Sequence, residues 1–174
     1  MHKNKPVYRS DEWYMQKALV LAHKAALQDE VPIGAIIVDR TGKIIGRGYN
    51  KVEQYHSQQE HAEMRALRQA TRKKNDWRLD GATIYVTLEP CLMCLCSIGL
   101  GRCARLIYAT HSPLFGSNID KDAIPPLYTK HLRSISSGVC AEQAARLLKN
   151  FFKQKREGRH EHLKSHHKKQ TAQT

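Results

Sequence analysis

Apolar Met15, Leu19 and Ala22 recur at helical spacing behind Ser10-Asp11-Glu12, a capping hydroxyl followed by two acids where a helix start favours negative charge. The spacing predicts a helix over 11–28. The β-branched run Pro32-Ile33-Gly34-Ala35-Ile36-Ile37-Val38, the turn Asp39-Arg40-Thr41-Gly42 and Lys43-Ile44-Ile45-Gly46-Arg47-Gly48-Tyr49 together predict a hairpin. A second helix is expected over 61–74, with Ala62, Leu67 and Ala70 inward. Ala82-Thr83-Ile84-Tyr85-Val86-Thr87 and Ala104-Arg105-Leu106-Ile107-Tyr108-Ala109 have the character of buried strands, and between them a helix opens at Pro90. A loop over Thr110–Pro126, a short strand at Ser134-Ile135-Ser136 and a last helix over 140–157 complete the pattern.

Strands alternating with helices imply a mixed five-stranded sheet flanked by helices, a three-layer α/β/α domain. One domain is expected over residues 1–157, with a basic, His-rich tail over 158–174 read as disordered. There is no internal repeat.

Bulk properties narrow the class. A chain of 174 residues with 41% hydrophobic content buries a full core without disulfides. The first thirty residues lack a signal core, and no run approaches the ~20 apolar residues of a membrane helix. A soluble, cytoplasmic protein with no membrane partner is the expectation. In a reducing compartment five cysteines point to metal or catalysis before bridges. The net charge of +13 is concentrated near the end, where Lys153–Lys169 holds seven Lys or Arg against two Glu. A polyanion such as RNA is the natural partner, and a solvated, solubilising tail is the bland alternative.

The chemistry centres on Glu89-Pro90-Cys91-Leu92-Met93-Cys94-Leu95-Cys96. Cys91 and Cys94, three apart in a first helical turn, supply two thiolates on one face, where the helix dipole favours them. His61-Ala62-Glu63, at another helix start, offers a third ligand for Zn2+. Glu63 is then left over as a proton carrier beside an open coordination position. H-x-E with P-C-x-x-C is the described signature of zinc deaminases. Cys96 turns to another helix face and, with Cys103 and Cys140, reads as a small hydrophobe. The alternatives are inert thiols on a buried helix, or a structural zinc module closed by a fourth thiolate. His160, His162, His166 and His167 read as tail residues that scavenge metal at most.

From about Met15 to Arg156 the chain resembles the bacterial tRNA adenosine deaminases of the cytidine deaminase-like superfamily. The likeness rests on Glu30-Val31-Pro32-Ile33-Gly34, Gly48-Tyr49-Asn50, His61-Ala62-Glu63, Thr87-Leu88-Glu89-Pro90-Cys91-Leu92-Met93-Cys94 and Phe151-Phe152. It implies zinc-dependent hydrolysis of the wobble adenosine of tRNA to inosine by a homodimer. It further implies zinc on His61, Cys91 and Cys94, proton transfer by Glu63, and a base pocket lined by Val31, Pro32 and Asn50. The anticodon stem-loop would meet a terminal helix carrying Phe151, Phe152, Lys153 and Arg156.

Two segments depart from the family pattern. Thr110-His111-Ser112-Pro113-Leu114-Phe115-Gly116 stands where an Arg-Asp pair and Lys-Thr-Gly are usual, which removes an acid and a Lys from the RNA grip. Gly99 and Gly101 follow the thiolates; an interior Gly costs a helix about 1 kcal/mol, so an early helix end is expected. Two other functions fit the same metal motif: deamination of a free base or nucleoside such as guanine or cytosine, or non-catalytic RNA binding by a zinc protein. The basic terminal helix argues against the first and Glu63 against the second.

Overall fold

The computed structural model describes residues 9–112 and 124–171, with side chains as far as Gly158. Five strands form one sheet in the order β2-β1-β3-β4-β5: β1 Gly34–Val38, β2 Ile44–Tyr49, β3 Thr83–Leu88, β4 Arg105–Thr110 and β5 Ser134–Ser137. β1 pairs antiparallel with β2 and β3, while β3–β4 and β4–β5 are parallel. The sheet is therefore mixed, as the alternating pattern implied. The longer helices are α1 Asp11–Ala26, α3 Ala62–Lys74, α4 Leu92–Leu100 and α6 Ala141–Thr171; α2 Val52–Tyr55, α5 Pro126–Thr129 and a 3₁₀ turn Gln58–Glu60 are short pieces that periodicity did not reveal.

Helices cover both faces. Ala62, Ala66, Leu67 and Ala70 of α3 and Leu95 and Ile98 of α4 bury against Ala35, Ile37, Ile84, Val86 and Leu106. On the opposite face Tyr14, Met15, Ala18 and Leu19 of α1 and Ala144 of α6 meet Ile36, Val38, Tyr85 and Ile107. Alternate residues of β1 thus feed opposite cores, which is why Gly34–Val38 is buried throughout and reads as a continuous apolar run.

Local signals end the elements. The Ser10 hydroxyl accepts from Trp13 N at 3.2 Å to cap α1, and Asn75, left-handed at φ 51°, closes α3. The hairpin turns on Asp39, whose carboxylate takes the backbone N–H groups of Thr41 and Lys43 at 2.8 and 3.1 Å. α4 ends at Leu100, and Gly99 remains inside it for a packing reason. A Cβ there would lie 1.6 Å from the carbonyl oxygen of Tyr128 on α5. The last helix passes the expected boundary near 157 and continues to Thr171, since Glu161, Leu163, Lys164 and Gln170 are good helix formers and no Pro interrupts them. The departing loop, including Leu114 and Phe115, lies outside the described residues over 113–123, as do the side chains of His160, His162, His166 and His167.

Register gathers the chemistry at one end of the sheet. Gly34 at the start of β1 pairs with Tyr49 at the end of β2, and Ala35 pairs with Val86 near the end of β3. The segments before β1, after β2 and after β3 therefore emerge side by side. Parallel pairing of Leu88 with Thr110 adds the end of β4.

Candidate active site

His61 and Cys91 occupy equivalent places, each the extended residue that caps a helix, α3 and α4 respectively. Because His61 sits before the first helical residue, its ring escapes the ~200° separation that two residues two apart have on an ideal helix, so it and Glu63 reach one region. Cys94 lies one turn into α4 and is fully buried. His61 Nδ1 is 3.7 Å from Cys91 Sγ and 3.4 Å from Cys94 Sγ. Tetrahedral zinc with bonds of about 2.0–2.1 Å to nitrogen and 2.3 Å to sulfur implies N···S separations of about 3.5–3.6 Å, so the donor set suits one such ion. Three protein donors leave a fourth position for water or substrate.

The position of α3 is set by a close approach that the sequence does not advertise. A Cβ on Gly48 would come within 2.0 Å of the carbonyl oxygen of Ala62, and one on Gly46 within 2.3 Å of that of Ala66. Glycine at both positions lets the start of α3 lie directly on β2, with His61 and Glu63 held against the end of the sheet.

Electrostatics follow from burial. Glu63 is 4% exposed, and burial pushes its carboxyl up to about 7, near the operating range of a general acid–base group. The Cys91 thiol is drawn down to about 4, chiefly by the hydrogen bond from Cys94 and also by His61, while Cys94 shifts upward as the donor in that bond. His61 is raised by its hydrogen bond with Cys91 and by the charge of Glu63. Two thiols and an imidazole sharing protons at this spacing are groups whose protons a cation displaces on binding.

Gln58 is a residue that sequence reasoning missed. Its Oε1 lies 3.2 Å from His61 Nε2. When Nε2–H donates to this oxygen, the Nδ1 lone pair is left directed at the two sulfurs, the usual way a ligating imidazole is oriented. Its place three residues before His61, in the Gln58–Glu60 turn, was the available signal.

The remaining expected residues fall into two groups. Pro32 and Asn50 are buried and Val31 half-buried, and Asn50 N donates to Ile33 O at 3.0 Å, so the three lie together along one edge. On α6, Phe151 is 8% exposed and Phe152 44%, their rings edge-to-face at 5.4 Å, which leaves Phe152 as the ring available to a partner. Lys153 and Arg156 are exposed. Lys155 pairs with Asp29, two residues from Val31, so the basic helix runs beside that edge. Of the other thiols, Cys103 is fully buried and pushed up to about 12 by that burial, and Cys96 and Cys140 pack partly buried against the two cores.

Comparison with known proteins agrees with the geometry. The family model of the MafB19-like deaminases matches residues 9–156. The tRNA-specific adenosine deaminase of Streptococcus pyogenes serotype M18 is 38% identical over 149 residues, covering 83% of this chain and 91% of the relative. That of Bacillus subtilis strain 168 is 37% identical over 147 residues, with 84% and 91% covered. A solved structure from studies of A-to-I editing by tRNA:A34 deaminases at the wobble position has a TM-score of 0.72 and 34% identity, covering 78% of this chain and 99% of that one. A guanine deaminase from Nitrosomonas europaea, 22% identical with a TM-score of 0.69 over 85% of this chain and 88% of its own, shares the fold. Fold and site define a deaminase of the cytidine deaminase-like superfamily. Within it, the chain belongs to the tRNA-specific adenosine deaminases.

Proposed function

We infer that the protein hydrolyses adenosine to inosine at the wobble position of tRNA, with zinc held by His61, Cys91 and Cys94. The observation that carries the reading is the buried Glu63 carboxyl beside a three-donor set that leaves one coordination position open. When bound, zinc supplies the Lewis acidity that makes water a nucleophile near neutral pH. Glu63 takes a proton from water as it attacks C6 of adenine and passes it to the ring nitrogen N1, then moves the proton of the new C6 hydroxyl to the amine, so that the C–N bond breaks, ammonia leaves and a carbonyl remains. A buried carboxyl, whose proton affinity burial raises, serves both directions of transfer. Gln58 holds the His61 ring, and Val31, Pro32 and Asn50 close around the base, which must leave the anticodon stack to enter.

RNA is favoured over a free base because α6 carries Lys153, Lys155 and Arg156 past the pocket edge, and each phosphate neutralised there adds affinity that a free base cannot use. Exposed Phe152 offers a ring for stacking. A homodimer is the further reading: Trp77, Leu100 and Leu127 are exposed around one groove beside α4, an apolar surface suited to a second copy. Among the described residues no helix is long and apolar enough to cross a membrane, and we place the reaction in the cytoplasm with the tRNA.

Inosine formation on a transcribed anticodon stem-loop, run beside free adenine, guanine and cytosine, tests the reading. Turnover of the stem-loop with none of the free bases supports it. Turnover of a free base alone replaces it with a small-molecule deaminase.

A further inference from the structure

Glu30 is a fully buried carboxylate that the chemistry above does not use. It follows Asp29, whose left-handed backbone at φ 63° turns the chain out of α1 toward Val31 and Pro32. Its Oε2 accepts from Asn50 Nδ2 at 3.1 Å and Glu53 N at 3.2 Å, and its Oε1 from Gln54 N at 2.7 Å. Three donors converge on two oxygens, and no basic side chain is hydrogen-bonded to them among the described residues.

The two backbone bonds cap the first turn of α2, which is a structural role. The bond to Asn50 does something separate. A carboxylate only accepts, so the Asn50 amide must turn its NH2 group to Glu30. Its oxygen is left without a partner among the described residues, yet it is not sealed from solvent. We propose that Glu30 is a positioning residue for substrate selection: by holding Asn50 Nδ2, it fixes Asn50 Oδ1 as the acceptor offered at the pocket edge to a hydrogen-bond donor of the target nucleoside. The proposal rests on the reading that Asn50 lines the base pocket. Orientation of an amide is worth controlling because the same side chain, flipped, presents a donor and rejects what it formerly bound.

Glu30→Gln separates the two roles. Glutamine has one acceptor oxygen, which the Gln54 N–H holds, and its NH2 then faces Asn50 and turns that amide over. KM for the stem-loop is expected to rise roughly tenfold to a hundredfold, the cost of a mismatched buried polar pair, while kcat changes little and metal content stays at the parent level. Glu30→Gln combined with Asn50→Asp reverses the direction of the bond, keeps the net charge and again offers an oxygen to the pocket, so KM should return toward the parent value. A capping role alone predicts no such return, because the Glu53 N–H still faces an NH2 group. If Glu30→Gln does not fold, Glu30→Asp keeps both acceptors one methylene further back and should raise KM at nearly constant kcat.

A KM within threefold of the parent in the folded single variant overturns the proposal, as does a double variant no better than the single. A loss confined to kcat also overturns it. If the parent protein itself leaves the stem-loop unchanged while deaminating a free base, the failure lies in the RNA reading, and the proposal goes with it.

Discussion

The ends of α3 and α4 and the exposed side of α6 are two regions built on opposite rules. At the helix starts Cys94 and Glu63 are enclosed, His61 and Cys91 are half-buried, and neighbours fix their places: Gln58 on His61, Gly48 under Ala62. Over residues 152–158 of α6 the side chains are exposed, and Lys153 pairs with Glu157 at 3.9 Å, one turn on along the same helix. The first arrangement makes each residue individually necessary. The second makes the residues additive and interchangeable, because solvated charges act through the sum of their fields.

The largest effect should come from the enclosed region. Cys94→Ala removes one of three donors and is expected to lose most of the bound metal, and with it all measurable deamination; elemental analysis of purified protein checks the first. Near-stoichiometric zinc in the Cys91→Ala/Cys94→Ala double variant would erase the contrast between the regions.

Glu63→Gln comes next. It should keep fold and zinc and lose about 10³- to 10⁴-fold in kcat, since one carboxyl serves as both base and acid. Single-turnover kinetics on the stem-loop provides the measurement, and activity within threefold of the parent removes Glu63 from the mechanism.

Truncation after Asn150 probes the open region. Zinc content should be unchanged while RNA affinity falls, and the plot of log affinity against log salt should flatten by about 0.7 to 0.9 for each phosphate that is no longer neutralised. Filter binding across a salt series reads both quantities. An unchanged affinity and slope would mean that α6 is not an RNA element.

The smallest effects are expected at the remaining thiols. Cys96→Ala should leave metal content as it is, because Cys96 packs against the core beside α4 and lies outside the donor set. Cys103, with its pKa pushed to about 12, holds roughly one thiolate in 10⁴ at pH 8 and should resist alkylation until the protein unfolds. Mass spectrometry after brief iodoacetamide treatment distinguishes a buried thiol from an accessible one.

Much of the molecule was legible in one dimension. Ser10, Asp39 and Gly42 punctuate α1 and the hairpin through bonds that span two to four residues, and such local chemistry is written directly in the order of residues. The donor set was legible for another reason: His61-Ala62-Glu63 and Cys91 to Cys94 place rare ligating side chains at helix starts, where few other roles call for that combination. The boundary of α6 was not, since propensity carries the helix beyond the point where apolar spacing fades. Nor were the short pieces α2, α5 and the Gln58–Glu60 turn, which are too brief to show a period.

What the sequence by itself determined is therefore the five strands, the longer helices and the candidate metal donors, because capping, periodicity and ligand type act over a few residues. Tertiary structure alone decided that Gly48 serves α3, that Gly99 makes room for Tyr128, that Gln58 orients His61, and that Glu30 reaches Asn50 across twenty residues. Each of those pairings spans a distance set by strand register and helix packing, and its partner is chosen by where the sheet brings the chain back.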